Sequence, residues 1–166
     1  MAVGNLEFIK SASGTSVSSL SVTDCFSADY DVYYIHFDSD RTVFQTNKIT
    51  FLDSSNTEIT SASYDYANLR MPTHTTFAES RSTNQTSVLE FSYQKEQGNY
   101  GIYVFNPYDS SSYSFIQYQG MAEDTSTYYG YKGIAVLKSA QQCNGIKITS
   151  NSGNYDTIDL KIFGVK

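Results

Sequence analysis

Residues 145–166 read "GIKITSNSGNYDTIDLKIFGVK". Towards the end Ile158, Leu160 and Ile162 fall on one side, Asp159 and Lys161 on the other. A period of two is the mark of a β-strand with one face against a core. The insert "SNSGN" at 150–154 separates this run from an earlier one at 146–149, using residue types that favour turns. A chain end is usually where order is lost first, yet here the strand pattern runs almost to Lys166.

The same punctuation recurs along the chain. Strands are expected at 6–10, 18–23, 32–38, 48–53, 87–93, 100–105, 113–118, 133–138, 146–149 and 157–163, separated by "SASG", "DSSN", "EQGN", "NPYDSSS" and "SNSGN". About ten short strands without an amphipathic helix pattern indicate an all-β sandwich or barrel. "VYYIHF" is apolar or aromatic on both faces, as in a central strand covered on both sides. "KEQGN" reads as a compact hairpin with Gly98 free to take a positive φ, and Pro72 and Pro107 are expected in loops. Two stretches look least strand-like. Residues 61–86 are read as a long loop with one edge strand and a helical turn near 64–69, and residues 106–131 as a second, tyrosine-rich loop.

A chain of 166 residues makes a single domain, 1–166, that buries roughly 70% of its unfolded surface. It carries 15 Tyr, 10 Phe and no Trp, and aromatic residues suit half-exposed sheets. With 17 acidic against 11 basic residues, and no basic cluster, it is a poor partner for nucleic acid or for an anionic membrane surface. No apolar run is long enough to span a bilayer, and the N-terminus "MAVGNLEFIK" has no leader pattern, so folding in a cytoplasm is expected. Cys25 and Cys143 are read as buried thiols, with a long-range disulfide as the alternative.

The residues offer little chemistry. His36 lies inside a strand pattern and reads as a hydrogen-bonded sheet histidine, while His74 in "MPTHTT" reads as a solvated loop residue. No serine sits in a G-x-S-x-G turn, and no glycine-rich phosphate loop or zinc spacing occurs. Most acidic residues sit in turns, where side-chain bonds to the backbone explain them. Asp53, Asn56 and Glu58 could offer oxygens to Ca²⁺, but a hairpin turn accounts for them and the spacing of a calcium loop is missing. No catalytic residue, metal ligand or other cofactor site is expected. Tyrosine is what remains: Tyr108, Tyr113, Tyr118, Tyr128, Tyr129 and Tyr131 supply more rings than one sheet face needs. Such rings serve protein interfaces or core packing, and they can also stack on sugars.

Three stretches carry a resemblance. The opening "GNLEFIKSASGTSVSSLSVTDCFSADYDVYYIHF" (4–37), the middle "ITFLDSSNTEITSASYDYANL" (49–69) and an ending with "SGN" followed by a strand closing in "LKIFGVK" resemble, in that order, virion structural proteins of tailed bacteriophages, especially those of marine cyanobacteria. The likeness covers about residues 4–70 and 133–166, with a variable centre. It implies a β-sandwich module serving as capsid decoration or as a head-fibre, tail-fibre or tail-accessory component; the expected fold is a single-domain antiparallel β-sandwich, jelly-roll-like, with other sandwich strand orders open. It implies no catalytic residue. The expected location is the virion, assembled in the host cytoplasm, and the expected partners are other capsid or tail proteins and further copies of the chain in a homo-oligomer. A fibre module could also bind a host-surface glycan.

Overall fold

The computed structural model describes residues 5–166, and for residues 90–94 the backbone alone. Residues 1–4, part of the stretch read as lacking a leader, lie outside the described residues. Twelve strands follow one another: β1 (Leu6–Val17), β2 (Ser19–Val22), β3 (Val32–Asp40), β4 (Gln45–Asp53), β5 (Tyr64–Pro72), β6 (Ala78–Gln85), β7 (Val88–Gln94), β8 (Gly98–Phe105), β9 (Ser114–Asp124), β10 (Thr127–Leu137), β11 (Cys143–Ser150) and β12 (Tyr155–Val165). They form an eight-stranded sheet, β1-β12-β3-β8-β9-β10-β5-β6, and a four-stranded sheet, β2-β11-β4-β7. All neighbours are antiparallel.

The pairing is nested. β1 and β2 meet β12 and β11, while β3 and β4 meet β8 and β7, one member of each pair in each sheet. The final strand therefore lies inside the larger sheet, hydrogen-bonded on both sides by β1 and β3. This is why the chain end holds its order. The Lys166 N–H donates to the Asn5 carbonyl at 2.8 Å, and the Lys166 ammonium pairs with the Glu7 carboxylate.

The alternation in β12 is realised as read: Ile158, Leu160 and Ile162 are buried between the sheets. From the larger sheet Tyr33, Ile35, Phe37, Ile102 and Val104 join them, and from the smaller Val22, Ile49, Phe51, Ile146 and Ile148. Tyr64 and Tyr155 bring their buried hydroxyls to partners, as desolvation of a polar group requires. Tyr64 Oη accepts from the Phe51 N–H and donates to the Ile59 carbonyl, both at 3.0 Å. Arg41 is 1% exposed. Its Nη1 donates to Ser150 Oγ at 3.2 Å and its Nη2 to Asn47 Oδ1, and the guanidinium lies 4.2 Å from the Tyr155 ring centre. Tyr155 donates to the same Asn47 oxygen at 2.6 Å.

Several expectations are corrected. The expected loops at 61–86 and 106–131 hold β5, β6, β9 and the start of β10, so the strands number twelve rather than about ten, and no helical turn lies at 64–69. "SASG" is not a turn but the middle of β1. "KEQGN" is not a hairpin. β7 belongs to the smaller sheet and β8 to the larger, so the segment crosses between them, and Gly98 takes no positive φ. Pro72 closes β5 rather than lying in a loop; pairing with β6 stops at Arg70, so no ladder donor is lost on that side.

Candidate functional site

Residues between the buried positions of the larger sheet point away from the core, and the strand register lines them up in rows. One row runs across all eight strands: Phe8, Phe163, Tyr34, Tyr103, Gln117, Ile134, Ala67 and Arg81 are successive cross-strand partners. The adjacent row runs Leu6, Val165, Val32, Phe105, Phe115, Val136 and Asp65. Together they make an apolar band that is charged only at its β5–β6 end. Leu6, Phe8, Tyr103, Phe115 and Ile134 are 41–62% exposed and all lie in it.

The rings of the band touch one another. Phe8 and Phe163 are 5.7 Å apart between ring centres, Phe163 and Tyr34 6.1 Å, Tyr34 and Tyr103 5.2 Å, and Tyr103 and Phe105 6.5 Å. Tyr34 lies over Gly101, where an added Cβ would come within 3.1 Å of the ring. Burial pushes the Tyr34 hydroxyl above its ordinary pKa, with a smaller push from Tyr103. At the far end, Ala67, Phe105, Phe115, Ile134 and Val136 wall an open hollow of about 780 Å³ bordered by Arg81 and Thr83. The next row is polar. Lys161, His36, Gly101, Gln119 and Lys132 are partners in register, and His36 Nε2 lies 2.9 Å from Asn99 Oδ1.

The six tyrosines singled out in the sequence do not form one surface. Tyr113 and Tyr128 are exposed, at 47% and 54%. Tyr108 and Tyr129 are half-buried against the core, Tyr129 with its ring 5.9 Å from His74. Tyr118 and Tyr131 are buried at 1% and 2% and present nothing outward. Alternation along β9 and β10 separates them, because neighbours in a strand face opposite ways.

The acidic turns behave as turns. Asp53 Oδ1 accepts from the N–H groups of Ser55 and Thr57 at 2.8 and 2.9 Å. Glu58 turns to Lys147 Nζ at 2.7 Å and Thr50 Oγ1 at 2.9 Å. Burial alone would raise its carboxyl, but these bonds together hold it below the ordinary 4.5. Hydrogen bonds from Ser111 and Ser112 bring Asp109 down to about 2. Among the described residues no three His, Cys, Asp or Glu gather as a metal site. Both cysteines are free, and burial pushes the thiols up, Cys25 to about 12 and Cys143 to about 11, which makes them unreactive.

The sequence did hold a signal for the band. "VYYIHF" is aromatic on both faces, and in "LKIFGV" the outward positions change from Lys161 to Phe163 and Val165. The chain matches no protein-family model, no curated protein and no solved structure.

Proposed function

We propose that this chain is a non-catalytic structural module of a tailed-phage particle, a jelly roll that holds to neighbouring proteins through the outer face of its larger sheet. The observation that carries the reading is the apolar band. Two rows of aromatic and aliphatic side chains cross a sheet face that no other layer among the described residues covers. Continuous apolar surface of this kind marks a contact site. The nested pairing β1·β12, β2·β11, β3·β8 and β4·β7 supports the jelly-roll part, since a long hairpin rolled across two sheets gives that order. The hairpin β9–β10 and the pair β5–β6 then extend one sheet beyond the basic eight strands. The resemblance of the opening, middle and ending to phage virion proteins supplies the particle, and with it assembly in the host cytoplasm. Mass spectrometry of gradient-purified particles from a lysate encoding the chain tests this. The chain should be present at a copy number set by particle symmetry. Its absence from washed particles sinks the reading.

A second reading has its own observation. Tyr34 and Tyr103 adjoin His36, Asn99, Gln119 and Lys132 around an open depression of about 690 Å³. Rings beside planar hydrogen-bonding groups suit a sugar, so a fibre module could bind a host-surface glycan there. A glycan array with the unchanged chain and Tyr34→Ala separates the readings: signal lost in the variant favours the glycan, and a blank array removes it.

A further inference from the structure

We infer that the outer band is covered by a second copy of this chain, the Leu6–Phe8 end of one copy seated in the hollow of the other. This rests on the proposed structural role and names the partner.

Three features of the band support it. The first is shape. At the β1 end Phe8 is 58% and Leu6 50% exposed, so apolar side chains stand out from an edge strand. At the opposite end the same two rows enter the apolar hollow of about 780 Å³. A projection and a recess at the two ends of one band complement each other only between molecules, because within one chain the width of the sheet separates them.

The second is charge. Glu7 is paired with Gly164 in register, between Leu6 and Phe8, so it and its partner Lys166 face away from the band. The projecting end therefore presents only apolar side chains, and they can enter the hollow without carrying an ion out of water. The charges beside the hollow, Asp65 and Arg81, sit at its border, where Asp65 is already paired with Lys138.

The third is size. With strands about 4.8 Å apart and same-face residues about 6.7 Å apart, eight strands by two rows span about 450 Å². Adding the polar row of Lys161, His36 and Lys132 as a rim raises this to about 700 Å², close to the ~800 Å² per partner of a standard stable interface. Made reciprocally, a contact between unlike ends gives a two-fold pair; made head to tail, it gives a ring where the rotation closes and a filament where it does not.

Light scattering on the purified chain, with variants at the two ends, is the test. The unchanged chain should run at a whole multiple of 18.6 kDa. Phe8→Lys and Ile134→Glu, on opposite ends and exposed in the single chain, should each run at 18.6 kDa with an unchanged circular-dichroism spectrum. Mixing the two should restore the larger species, because one contact remains apolar and the other gains opposite charges. Tyr128→Ser, six residues along β10 from Ile134 and beyond the polar row, should keep the parent mass. An unchanged chain that runs at 18.6 kDa overturns the inference, and so does an oligomer that both end variants leave intact. The two readings can also fail separately. A single chain found in particles removes the self-contact and keeps the structural role, while an oligomer missing from particles does the reverse.

Discussion

The two faces of β3 differ in one respect that organises the molecule. Tyr33, Ile35 and Phe37 are fully buried by the smaller sheet, while Tyr34 and His36, one residue away on the same strand, remain half-exposed. Composition is similar on both sides. What differs is whether a second layer is present. The inner face has its cover within the chain, and the outer face carries apolar and aromatic residues with no cover among the described residues. Stability belongs to the inner face, and in the proposed reading recognition belongs to the outer.

The comparison breaks most visibly if matched truncations have matched effects. Phe37→Ala opens a cavity among residues of both sheets and should cost about 3–5 kcal/mol, a fall in Tm of roughly 10 °C. Phe8→Ala on the outer face should cost under about 1 kcal/mol in the single chain, because its ring is already solvated. Thermal unfolding of the two variants checks this, and equal losses would show that the outer face also holds the fold. Next in size is Arg41→Ala. It removes the donor shared by Ser150 and Asn47 and uncovers the Tyr155 ring, so a loss of about 2–4 kcal/mol is expected by denaturant titration.

A smaller effect depends on pH. The Glu58 carboxyl is depressed in the folded chain, so its contribution is present above the ordinary 4.5 and lost as pH falls through the lower folded value. Glu58→Gln should lower Tm at neutral pH and flatten its fall on acidification, read by melting curves across that range. The smallest effect should be a gain. Thr125 and Ser126 join β9 to β10 with φ of 41° and 70°, a left-handed pair that Asn-Gly adopts more readily. Thr125→Asn with Ser126→Gly relieves the Cβ clash of the left-handed region and should add about 1 kcal/mol, read by thermal unfolding.

That turn also shows why part of the fold was hidden. Thr-Ser carries no glycine signal, so β9 and β10 were legible only in fragments and their junction read as loop. β6, "AESRSTNQ", is polar on both faces because it is an edge strand, and nothing in its pattern separates it from a loop. "KEQGN" announces a reversal correctly, but turn chemistry does not say whether the next strand joins the same sheet or the opposite one. The ten expected strands all exist, because period-two burial is a local property. The band is a different kind of object. Phe8, Tyr34, Tyr103, Ile134 and Phe163 become neighbours only through the register of a sheet whose strand order jumps across the chain. A cluster dense in sequence, Tyr128 to Tyr131, is split between the two faces for the same reason.

The most direct test of the claim that the outer band is a covered surface is hydroxyl-radical footprinting of the purified chain at micromolar concentration. Phe8, Tyr103 and Phe115 are exposed in the single chain to much the same degree as Tyr128, which lies beyond the polar row. The account predicts that the first three are protected while Tyr128 labels freely. Equal labelling of all four, in step with their exposure in the single chain, would contradict it.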